Sequence, residues 1–99
     1  MVRFHPRSLV FLSFMYFVYI IKSISSNKYY IGHTSDLNDR LKRHNQNRSK
    51  ATRLRGPWEL VISHQCNSKS EAYCLELKLK SFKNPQKAIN HLLMLNQLR

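Results

Sequence analysis

Two β-prone runs, Tyr16 to Ile24 and Tyr29 to Thr34, flank the polar stretch Ser25-Ser26-Asn27-Lys28. β-Branched and aromatic side chains suit a pleated, half-buried surface, and the polar residues between them suit a reversal, so the chain is expected to open as a β-hairpin. Ser35 and Asp36 then offer a cap and a negative first turn to a helix running through about Asn45, which the polar, basic stretch Gln46 to Gly56 ends. After Pro57, the segment Trp58 to Gln65 reads as a third strand. Ser68-Lys69-Ser70-Glu71 fits a capping box opening a helix to about Phe82, and Asn84-Pro85 resets the chain before a last helix over Gln86 to Leu98. The order β-β-α-β-α-α predicts an α+β domain, a small and mainly antiparallel sheet covered by helices.

A chain of 99 residues has room for one core, and a second catalytic domain is not expected. Its 17 Lys and Arg against 5 Asp and Glu leave a net charge of +12. Such a surplus on so small a domain points to a polyanionic partner, nucleic acid before a membrane surface. The two cysteines, Cys66 and Cys74, are too few for a disulfide framework and lack the spacing of a zinc pair, so they are expected to be reduced thiols packed as small hydrophobes in a cytoplasmic protein. Leu9 to Ile21 is nearly all apolar behind Arg3, His5 and Arg7, but it falls short of the ~20 residues of a spanning helix. Its second half, Phe17 to Ile21, reads as a buried strand. Residues 1–14 are therefore taken as an extension, left by an upstream start assignment with Met15 as the alternative initiator, and 15–99 as the single domain.

Helical spacing gathers the chemistry. On the first helix Leu37 and Leu41 lie about 40° apart, His44 falls about 20° to the other side of Leu37, and Arg40 borders the same stripe. Each alone is a core-margin histidine or an arginine stem lying over apolar surface. Beside a tyrosine-rich hairpin the pair reads as a site. On the second helix Ala72, Leu75, Leu79 and Phe82 form the apolar stripe, and Glu76 flanks it. The other acids have structural roles: Asp36 and Asp39 open the first helix, Glu71 caps the second, and Glu59 starts a strand. Glu76 is thus the candidate ligand for a Mg²⁺ ion, which keeps much of its water and often takes one or two protein carboxylates. An i,i+4 ion pair with Lys80 is the competing reading. Gly32 inside a strand points to a bulge or a close backbone approach. Lys42 and Arg43 lie on the outer side of the first helix. With Arg48, Lys50, Arg53 and Arg55 in the following loop they are the candidate phosphate contacts, which position a nucleic acid without reading its sequence.

Taken in order, Phe17-Val18-Tyr19, Tyr30-Ile31-Gly32, Arg40, His44, Lys50 and Glu76 resemble the GIY-YIG endonuclease superfamily. The nearest resemblance is to its small standalone members, related to the N-terminal nuclease domain of the bacterial nucleotide-excision repair endonuclease. It covers about Met15 to Phe82. Phe17 stands where the first motif has glycine, His33 follows Gly32 where a small or amide residue is usual, and only Asn84 and Asn90 are candidates for an asparagine that assists some larger members. The resemblance implies a three-stranded antiparallel sheet, with the two tyrosines on neighbouring strands, and phosphodiester hydrolysis with a single divalent ion, Mg²⁺ or Mn²⁺. It implies that Glu76 holds the metal, Arg40 stabilises charge on the scissile phosphate, Tyr19 and Tyr30 handle the attacking water, and His44 assists. The expected partner is DNA, structured or damaged, with RNA left open and no small-molecule cofactor. A non-catalytic nucleic-acid-binding adaptor of the same fold is the alternative.

Overall fold

The computed structural model describes residues 15–98. The expected extension over residues 1–14 lies outside them. The hairpin consists of β1 (Tyr16–Ser23) and β2 (Tyr29–Thr34), followed by α1 (Leu37–Asn45), β3 (Trp58–Cys66), α2 (Lys69–Ser81) and α3 (Pro85–Gln97). The three strands form one antiparallel sheet in the order β2-β1-β3. The order and class are those expected. The apolar run ending at Ile21 feeds the central strand, and among the described residues no helix is long and apolar enough to cross a membrane.

Local chemistry explains where the helices begin. Asp36, rather than Ser35, caps α1 by accepting from the Asp39 backbone N–H. Ser68 caps α2 by accepting from Glu71 N, but the Glu71 carboxylate reaches back to Asn67 N instead of completing a reciprocal box. Asn84 caps α3 through Gln86 N and Lys87 N with Pro85 in the first turn, where its missing N–H leaves no bond unmade. That commits the Asn84 side-chain oxygen to the helix end.

Strand alternation sends β1 side chains to two different environments. Val18 and Ile20 meet Cys66, Ala72, Leu79, Ala88 and Leu92 beneath α2 and α3, the larger core. Tyr19 and Ile21 meet Trp58, Tyr30, Leu37 and Leu41 on the side of α1. Between Ile20 and Ile21 the pairing with β3 slips, leaving Val61 unopposed, so among the described residues the bulge lies on β3 and not at Gly32. Cys66 is buried as expected of a small hydrophobe, whereas Cys74 is exposed on α2, which corrects that half of the expectation.

Candidate active site

Tyr19 on β1 stands opposite Gly32 on β2, and Ile21 opposite Tyr30, so both tyrosines share the face covered by α1. A Cβ at position 32 would lie 2.6 Å from Tyr19 Oη and 2.8 Å from its Cζ, closer than a side chain tolerates. The glycine of the Tyr30-Ile31-Gly32 run is therefore a close approach, a seat for the Tyr19 ring. Tyr30 flanks that ring with centroids 6.4 Å apart.

The last turn of α1 brings His44 against both rings, with centroids 5.7 Å from Tyr19 and 5.1 Å from Tyr30. Its Nε2 shares a 2.8 Å hydrogen bond with Tyr19 Oη, and its Nδ1 a 2.6 Å bond with Thr52 Oγ1. Tyr19, His44 and Thr52 are each 1% exposed, a buried polar chain from the central strand to the loop. Burial holds the His44 imidazole down to about 4, and the Arg40 charge acts in the same direction, so the ring is neutral near pH 7. Burial also pushes the Tyr19 hydroxyl well above its ordinary range; Tyr30 adds to this and the neighbouring Arg40 opposes it. Tyr19 is a neutral phenol in the free protein. The half-buried Tyr30 makes no side-chain hydrogen bond among the described residues.

The loop that supplies Thr52 is anchored to the sheet. Trp58 Nε1 donates to the Thr52 carbonyl at 3.2 Å, Asn45 and Trp58 exchange two hydrogen bonds, and Ser23 Oγ donates to Arg55 O. The basic side chains Lys50, Arg53 and Arg55 are thereby carried, exposed, on a tethered segment.

Glu76 comes from the opposite face. His33 pairs with Val18 in register and so points toward α2, where its Nδ1–H donates to Glu76 Oε1 at 2.6 Å. Lys80 donates to Oε2, so the i,i+4 pair also forms, with its Nζ 5.9 Å from the Tyr30 ring centroid. The Glu76 side chain is only 12% exposed. Arg40 Nη1 makes a long 3.5 Å hydrogen bond to the His33 carbonyl while its charge acts on Tyr19 and His44. Arg40 thus connects the tyrosine face to the carboxylate across the edge strand β2. Alongside, a groove lined by Tyr29, Tyr30, Lys80, Lys83 and Asn84 runs from the β2 edge to the α2–α3 turn.

Tyr19, Tyr30, Arg40 and His44 are therefore brought together, and Glu76 approaches them around the sheet edge. Lys42 is exposed on α1, Arg43 is paired with Asp39 at 3.0 Å, and Arg48 donates to Gln46 at 2.7 Å. Among the described residues no three His, Cys, Asp or Glu side chains cluster as a metal cage. The donor set is one carboxylate with an adjacent imidazole, which fits a hydrated Mg²⁺ or Mn²⁺ and not an all-protein site. Sequence reasoning missed Thr52, hidden in a basic loop, and the His33–Glu76 contact. Strand alternation could have flagged His33 as a polar residue on the Val18–Ile31 side.

The GIY-YIG catalytic domain family matches residues 15–90, and the chain belongs to that family. It is 37% identical over 73 residues to a UPF0213 protein of Staphylococcus epidermidis, covering 73% of this chain and 88% of that one. A UPF0213 protein of Staphylococcus aureus is 36% identical over 73 residues with the same coverage. The solution NMR structure of a UPF0213 protein from Bacillus halodurans is 33% identical, covers 82% of this chain and 84% of that one, and has a TM-score of 0.48. Membership places the chain in a family of nucleases that generally use divalent metal ions.

Proposed function

We propose that this chain is a Mg²⁺- or Mn²⁺-dependent endonuclease that hydrolyses DNA phosphodiester bonds, with a preference for structured or damaged DNA, and that residues 15–99 are the working unit. The observation that carries the reading is the position of Arg40, beside the Tyr19 hydroxyl and bonded to the residue that holds Glu76. In this reading Glu76, released from Lys80, holds the ion, which when bound supplies Lewis-acid stabilisation of the phosphate oxygens. Arg40 offsets charge that grows on the scissile phosphate, a role worth most in a partly dry site. Tyr19 and Tyr30 orient the attacking water. With its pKa near 4, His44 is a poor store for a proton and instead fixes the Tyr19 hydroxyl. Lys42, Arg43, Arg48, Lys50, Arg53 and Arg55 contact phosphates along the flanking duplex.

Purified protein incubated with branched, nicked and plain DNA and either ion should cut at least one substrate, with Glu76→Ala reducing the rate by 100-fold or more. No cleavage above the Glu76→Ala background would overturn the enzymatic reading. One observation favours the adaptor alternative: both oxygens of Glu76 are already held by donors. An adaptor would bind DNA in a salt-sensitive manner, unchanged by Glu76→Ala or by metal.

A further inference from the structure

The groove between the β2 edge and the α2–α3 turn has a volume of about 360 Å³, within the ~300–1,000 Å³ of ordinary ligand sites. Ile31, Leu79 and Pro85 give it an apolar wall, Tyr29 and Tyr30 bring half-buried rings, and among the described residues no acidic side chain lines it. Its cations are Lys80 and Lys83, and they differ. Lys80 is engaged by Glu76, whereas the exposed Lys83 ammonium has no hydrogen bond or ion pair among the described residues. Lys83 also follows the α2 cap, Phe82, at φ 52°, a left-handed position that costs a lysine more than a glycine. A free ammonium thus accompanies an apolar groove, on a backbone turn that glycine would fit better.

Charge and apolar wall together narrow the occupant. A paired duplex offers phosphates but keeps its bases stacked inside, and a bare phosphate has no use for an apolar wall. An unpaired nucleotide carries both parts. The groove is also continuous with the site, because Tyr30 lines it and stands beside Tyr19 and His44. We infer that the groove seats an unpaired nucleotide of a DNA strand passing the site, its base against Tyr29, Ile31 and Pro85 and its phosphate on Lys83. This rests on the nucleic-acid half of the proposed function, and it makes the structured substrate a definite one: DNA with an unpaired nucleotide beside the scissile bond.

The test irradiates the full chain, with metal chelated so that nothing is cut, in the presence of DNA carrying one 5-iodouracil, either unpaired at a duplex junction or paired within a flush duplex. Mass spectrometry then locates the attached residue. The unpaired base should attach to Tyr29 and the paired base should not. No attachment at Tyr29, or equal attachment of the paired base there, overturns the inference. Lys83→Gly should weaken binding of the junction DNA about fivefold at 0.1 M salt and make its salt slope shallower by about 0.7, without lowering the melting temperature. Lys83→Arg should bind as the wild type does. Unchanged affinity in Lys83→Gly overturns the phosphate contact. Because binding is read without cleavage, an inactive chain would sink the nuclease reading and leave this test intact, whereas cutting without attachment at Tyr29 would do the reverse.

Discussion

Beneath α2 and α3 the sheet buries Val18 and Ile20 against Ala72, Leu79, Ala88 and Leu92, whereas beneath α1 it buries Tyr19, His44 and Thr52 beside Ile21 and Trp58. The first set gains from leaving water in rough proportion to its area, with little regard to direction. The second must satisfy each donor and acceptor in place, and no buried side-chain polar atom among the described residues lacks a partner. Stability is thus concentrated on one face and orientation on the other. They share the sheet, and along its central strand alternate residues serve each in turn.

The contrast can be broken most strongly on the apolar side. Leu92→Ala removes a fully buried side chain from the larger core and should destabilise by about 2–5 kcal/mol, read as a lower denaturation midpoint. A change below ~1 kcal/mol would show that this face is not where stability resides. On the polar side the expected effect depends on pH. The folded His44 pKa, about 4, lies below its ordinary 6.5, so between those values the unfolded chain takes up a proton that the folded chain refuses. The His44 contribution is therefore full above pH 6.5 and declines as pH falls toward 4, by on the order of 3 kcal/mol. Denaturation of the wild type and His44→Asn at pH 7 and pH 4.5 should give a difference that shrinks in acid; a constant difference would refute it. The smallest stability effect belongs to the link between the faces. Lys80→Gln removes an i,i+4 pair whose lysine is 47% exposed, and should change stability by no more than ~0.5 kcal/mol. Under the proposed function it should nevertheless lower the half-saturating Mn²⁺ concentration severalfold, by removing a cation that competes for Glu76. An unchanged metal titration would mean that Lys80 does not guard the carboxylate.

Which parts were legible follows the same division. The hairpin, the helix caps and the Leu37–Leu41–His44 stripe are local patterns, set by residues a few positions apart, and each formed within a residue or two of its expected bounds. Glu76 could be singled out because the other acids had nearby structural roles. Thr52 could not: what buries it is a loop anchored by Asn45, Ser23 and Trp58, contacts between segments with no shared periodicity. His33 was visible as an unusual residue after Gly32, but its partner sits on a helix that strand alternation alone does not locate.

The hydrogen bond from Trp58 to the Thr52 carbonyl has a practical consequence. Trp58 is the chain's one tryptophan, so its emission comes from a single place, the base of the loop that carries Lys50, Arg53 and Arg55. The molecule therefore contains its own optical reporter. Polyanion docking on that loop is open to observation in unlabelled protein, separately from any cutting of the strand.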